Sequence, residues 1–223
     1  MRALLIACLL CCAGAAFAQP AAPLRLADTW RLPEHERSYA GTLPPTHHLQ
    51  LDLVAFRDTQ WEPDRILRAV RDAATILAQC RIRLQRAELS RFEGGEAGLR
   101  YLSTPVSRQL VRRVRPAKPA VFFVRDTRHV PTYDAEAFGT GNSAARPELA
   151  FTVWITAWIR DLPLALAHEL AHVLMDSGEH SVEAANLMRD ETAPGNTQLA
   201  PEQCARMVEA GERNGLLQRE VPR

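Results

Sequence analysis

Residues 168–180 read His168-Glu169-Leu170-Ala171-His172-Val173-Leu174-Met175-Asp176-Ser177-Gly178-Glu179-His180. Two histidines four apart on a helix project from one face, one turn apart. Their ring nitrogens can then share one Zn2+ at the usual ~2.0–2.1 Å. Glu169, next to the first histidine, is placed to reach a metal-held water. The flanks predict a helix that Asp161 and Pro163 start and that runs to about Met175. Leu162, Leu166, Leu170, Val173 and Leu174 supply its apolar contacts, and Ser177-Gly178 ends it. Asp176 continues the i+4 row but lies eight residues beyond His168, about 12 Å along the axis, too far for the same ion. His180 follows the turn expected at Gly178, where the chain can fold back. The expected ligand set is therefore His168, His172 and His180, with a water in the fourth position. An open fourth position separates a catalytic zinc site from a closed structural one.

Outward from this stretch the chain alternates strands and helices. Leu49, Leu51, Leu53 and Ala55 alternate with Gln50, Asp52 and Val54, a half-buried strand. Thr59-Gln60-Trp61-Glu62 has capping-box order and Pro63 suits a first helical turn. Ile66, Leu67, Val70, Ala73, Ala74 and Leu77 then predict an amphipathic helix over about 62–78. A second strand carries Ile82, Leu84, Ala87 and Leu89. Thr104-Pro105 opens a short helix through Val114, whose Arg108, Arg112, Arg113 and Arg115 read as a solvated face. Ala120–Val124 is a buried strand, 131–148 a loop, and Leu149–Ile155 a further strand. The last helix runs from Pro201 to about Asn214, with Gly215 as its stop. This order predicts an α+β class, a single domain with a mixed twisted sheet, an active-site helix and a C-terminal helix.

The N-terminus carries a different message. Arg2 precedes an uncharged apolar run, Ala3–Ala16, and Ala16-Phe17-Ala18 places small residues where a signal peptidase reads. The run is too short to span a bilayer, which takes roughly 20 apolar residues. Residues 1–18 are expected to be a signal peptide, 19–46 an extended N-terminal arm or short pro-segment, and 47–223 the folded domain. The chain is then exported, to the periplasm or medium of a bacterium, with no stable membrane insertion. Of five cysteines, Cys8, Cys11 and Cys12 leave with the signal. Cys80 and Cys204 remain, and an oxidising compartment favours their pairing over two buried thiols. Removing Arg2 leaves the mature chain formally neutral, so no basic footprint for nucleic acid exists. A monomer is expected.

From His168 through Ser181 and on to Asn186-Leu187-Met188, the sequence resembles the metzincin metalloproteases. Their pattern is HExxHxxGxxH followed by a methionine turn beneath the metal. The resemblance implies a zincin-like domain with His168, His172 and His180 as zinc ligands, Glu169 as base and Met188 as the turn methionine. His180-Ser181, with a methionine eight residues after the histidine, is the matrixin-like form. Two residues more than the pattern separate His172 from His180. Met175 stands at its glycine position, with Gly178 expected to provide the bend, and Arg189 follows Met188 where proline is common. The implied activity is endopeptidase: Glu169 takes a proton from a zinc-bound water that attacks a peptide carbonyl. An extended peptide or protein substrate would pair with an edge strand, Phe138–Asn142 or part of Leu149–Thr156. Two alternatives remain. One is a gluzincin-like peptidase with Glu202 or Glu209 as third ligand, the other an exported zinc-binding domain without catalysis.

Overall fold

The computed structural model describes residues 22–127, 137–190 and 193–220. The expected signal peptide, with Cys8, Cys11 and Cys12, lies outside the described residues. In chain order the elements are β1 (Arg25–Arg31), β2 (His47–Phe56), α1 (Pro63–Leu77), β3 (Ile82–Glu93), β4 (Tyr101–Leu102) and α2 (Thr104–Val114). They continue with β5 (Ala120–Phe123), β6 (Asp126–Thr127), β7 (Ala137–Thr140), β8 (Thr152–Ile155), α3 (Leu162–Met175), α4 (Pro201–Arg213) and β9 (Leu217–Arg219). The class is α+β with one mixed sheet, as the element order predicts.

The main sheet runs β1-β3-β2-β5-β8-β7, with β9 beside the start of β2. β3, β2, β5 and β8 are mutually parallel, and β1 and β7 close the two edges antiparallel. Parallel neighbours need crossovers. α1 joins β2 to β3, and its buried Ile66, Val70, Ala73 and Leu77 join the same core cluster as α3. α2 covers the opposite face through Leu110 and Val111. Strand alternation sorts side chains between these layers: Val121 and Phe123 of β5 go to the α1/α3 core, Ala120 and Phe122 to the α2 core. Phe122 stacks on Trp154 of β8, centroids 4.2 Å apart. The last four residues of β2, Leu53 to Phe56, are buried on both faces, which strict alternation did not anticipate.

Several local expectations change. The arm over 19–46 contains β1, paired antiparallel with β3 at the edge opposite β7. Its half-exposed residues carry no apolar period, because pairing with β3, not patterning, makes it a strand. Thr59 does not cap α1: its hydroxyl donates to the Phe56 carbonyl at 2.7 Å, and Glu62 is the N-cap residue. The strand expected over Leu149–Ile155 starts at Thr152, since Phe151 takes a left-handed φ of 56°. Within the expected 131–148 loop, Ala137–Thr140 forms edge strand β7. The arginines of α2 are a paired surface face: Arg108 and Arg112 both donate to Glu148, and Arg113 to Glu96. No helix among the described residues is long and apolar enough to cross a membrane.

Candidate metal centre

α3 runs through the core and delivers the histidines. Asp161 caps it, accepting from the Leu164 N–H at 3.2 Å, and Pro163 sits in the first turn. Leu162, Leu166, Leu170, Val173 and Leu174 are all buried, which anchors the helix rigidly under the sheet. Its end is not at Gly178. Asp176 takes the left-handed conformation (φ 49°, ψ 49°) that terminates the helix, and Gly178 has no positive φ. Asp176 holds that strained position with its side chain, which accepts from the Asn142 N–H at 2.7 Å and from Asn214 Nδ2 at 3.4 Å. It therefore ties the end of the β7 segment and the end of α4 to the end of α3, and does not join the histidines.

His168, His172 and His180 converge, with one ligand atom from each within 4.8 Å of the others. His172 Nε2 lies 3.0 Å from His168 Nε2 and 3.2 Å from His180 Nε2. Each Nδ1 faces an acceptor: the Leu187 carbonyl for His168 at 2.8 Å, the Ser177 carbonyl for His172 at 2.7 Å, and Asp190 Oδ1 for His180 at 3.5 Å. A carbonyl only accepts, so Nδ1 of His168 and His172 carries the proton. Their Nε2 lone pairs then face each other. Burial pushes His172 down to about 4 and lowers His168 as well, so a shared proton does not relieve the contact at neutral pH. A cation does. A tetrahedral ion with ligands at ~2.0–2.1 Å holds them ~3.3 Å apart, close to the spacings present. The donor set can thus hold a metal ion.

Glu169, next to His168 on α3, lies against β7. Gly139 of β7 passes so close that a Cβ there would lie 2.8 Å from Glu169 Oε2 and 3.1 Å from its carbonyl oxygen. Burial pushes the Glu169 carboxyl up to about 7, and a hydrogen bond from the Gly139 backbone N–H partly opposes this. β7 is the sheet edge, so of the two candidate edges the Phe138–Asn142 region is the one realised, and β8 is interior.

Met188 is fully buried in the main core. The turn that carries it holds His168 and the residue after His180: the Leu187 carbonyl accepts from His168 Nδ1, and the Met188 carbonyl accepts from the Ser181 N–H at 2.7 Å. Glu202 and Glu209 lie elsewhere, in a groove of about 480 Å³ between α3 and α4 lined also by Asp176, Arg206 and Arg213. Neither belongs to the histidine group, so the structure gathers His180 and not a glutamate. Cys80 and Cys204 form the expected disulfide, joining the end of α1 to the first turn of α4. Sequence reasoning missed Ser177, Leu187 and Asp190 as partners of the imidazoles and Gly139 as the neighbour of Glu169. The first two act through backbone carbonyls, which leave no trace in side-chain identity.

The fold and the histidine group define the class: a zincin-like α+β domain with a group that can hold a metal ion. Among solved structures, metalloproteinase-II from Bacteroides fragilis shares the fold, with a TM-score of 0.52 at 15% identity. The alignment covers 78% of this chain and 58% of that one, so the chain spans under two thirds of that neighbour's length. No family model matches the sequence, and no curated protein does.

Proposed function

We propose that this chain is an exported zinc-dependent endopeptidase of the metzincin type, matrixin-like in the order of its third histidine and turn methionine. The observation that carries the reading is the convergence of the imidazoles of His168, His172 and His180, with the buried Glu169 carboxyl next to His168 pushed up to about 7. The metalloproteinase neighbour supports the same class of chemistry.

His168, His172 and His180 would hold Zn2+, and Met188 would floor the site. Bound zinc supplies Lewis acidity and makes a water acidic enough to ionise near neutral pH. Glu169, with its carboxyl at about 7, suits both halves of a proton shuttle at that pH: it accepts a proton and later returns it to the leaving amine. Its place against Gly139 puts that proton acceptor beside β7, the edge on which an extended peptide or protein substrate can add as a strand. The Asp190 carboxylate facing His180 Nδ1 would orient the most exposed of the three ligands. We place the signal peptide at residues 1–18 and the start of the folded domain before β1, because the β1 pairing makes the arm part of the sheet.

Metal analysis of the mature protein, with cleavage of an unstructured protein substrate, tests the reading. Glu169→Gln is expected to keep stoichiometric zinc and lose cleavage. His180→Ala is expected to lose zinc. Retained cleavage in the first variant, or undiminished zinc affinity in the second, would overturn the assignment.

A further inference from the structure

His168 is oriented by a backbone carbonyl, and a carbonyl is only as fixed as the peptide unit that carries it. The Leu187 carbonyl and the Met188 N–H belong to one planar peptide group. One end accepts from His168 Nδ1 at 2.8 Å, and the other donates to Asn186 Oδ1 at 2.8 Å. Asn186 is 3% exposed. Its Nδ2 donates to Gln203 Oε1 at 3.0 Å, and Gln203 Nε2 donates back to Asn186 Oδ1 at 3.2 Å. Gln203 Oε1 also accepts from the Ala200 N–H at 2.8 Å. Each amide oxygen therefore takes two N–H groups. Turning either amide over would set N–H against N–H, so both are locked.

The far end of this chain of bonds is rigid. Gln203 lies in the first turn of α4, next to Cys204 and its bridge to Cys80. Gln79, at the end of α1, holds the Thr197 carbonyl at 2.7 Å and the Leu199 N–H at 3.3 Å. The Leu187 N–H donates to the Gln198 carbonyl at 2.6 Å. The turn is thus stitched to a segment that α1 and α4 both grip.

We propose that Asn186 and Gln203 are a positioning pair for His168, setting through the 187–188 peptide group the angle at which its ring meets the metal. The proposal rests on the metal reading above and adds which residues outside the ligand set control affinity. The outer partners of metal-bound histidines are worth about 10–100-fold in metal affinity when removed. His172 uses a different carbonyl, that of Ser177, and is not part of this chain.

The test is zinc titration of the mature, disulfide-bonded protein against a competing chelator, with proton NMR of the imidazole Nδ1–H groups in the zinc-loaded state. Asn186→Ala is expected to weaken zinc binding about 10–100-fold. It should move the His168 Nδ1–H resonance and leave that of His172 in place. Gln203→Met, which keeps the side-chain volume, should shift both readouts in the same direction and less far. Gln203→Glu keeps both acceptor roles but replaces the donor to Asn186 Oδ1 with a second carboxylate oxygen, so it should weaken zinc binding and move the His168 resonance as Gln203→Met does. Wild-type affinity with an unmoved His168 resonance in whichever of Asn186→Ala and Gln203→Met folds overturns the proposal. Equal shifts of both histidines also overturn it, because that is general loosening. Failure of the unaltered protein to bind zinc would instead remove the metal reading itself.

Discussion

Gly139→Ala separates the role of the edge strand from that of the metal ligands. Gly139 has no positive φ, so alanine can adopt its backbone and the effect is steric alone. The new Cβ would meet Glu169 Oε2 at 2.8 Å, the Glu169 carbonyl oxygen at 3.1 Å and Val173 Cγ2 at 3.5 Å. The carboxylate can swing away. The carbonyl cannot, because α3 is packed along its length, so β7 must lift by a few tenths of an ångström. Overpacking of this kind costs about 1–3 kcal/mol. In a domain of this size that lowers Tm by about 2–4 °C per kcal/mol. The larger effect falls on chemistry. Glu169 loses its place and its Gly139 N–H partner, and a misplacement near 1 Å can cost about 100-fold in rate. The histidines are held by Leu187, Ser177 and Asp190 and not by β7, so zinc affinity should not change. Zinc titration, a thermal melt and kcat on an unstructured protein substrate read the three effects separately. Wild-type kcat would refute the argument. A fall in zinc affinity matching the fall in kcat would show that β7 acts through the histidines and not through Glu169.

Three further outcomes are expected. In the metal-free protein the Glu169 carboxyl stands at about 7 against an ordinary 4.5, mainly through burial. A raised acid contributes stability that is complete below the unfolded value and is lost as pH rises through the folded one. Metal-free Glu169→Gln should therefore gain on wild type between about pH 5 and about pH 8, on the order of 2 kcal/mol, in urea unfolding. An unchanged difference across that range would contradict the burial of the carboxyl. Cys80→Ser with Cys204→Ser opens a loop of 124 residues and should cost about 2–5 kcal/mol, measurable as a lower urea midpoint. An unshifted midpoint would mean the bridge constrains nothing. Asp161→Ala removes the cap on Leu164 and should cost about 1 kcal/mol, while Asp161→Asn keeps most of it. Equal losses in the two variants would show that the cap bond is not what stabilises the start of α3.

The pattern of residues alone determined the elements with strong periods. α1, α3, α4 and the buried strands β2, β3 and β5 each announce themselves through apolar spacing, which is a local property of the chain. The metal candidates were legible for the same reason: His168 and His172 share a helix face by arithmetic, and His180 lies a short chain length away. Cys80 and Cys204 had only one possible pairing once the signal segment was set aside. Tertiary structure decided what depends on a partner. β1 and β7 are strands because β3 and β8 offer them hydrogen bonds, not because Arg25–Arg31 or Ala137–Thr140 alternate. Asp176 ends α3 because Asn142 and Asn214 hold its carboxylate, so the aspartate and not the glycine takes the left-handed turn. The orientation of His168 and His172 rests on the carbonyls of Leu187 and Ser177, and every residue has a carbonyl. Only the folded chain determines which carbonyls face the rings, because a backbone acceptor is selected by geometry and leaves no mark on the sequence.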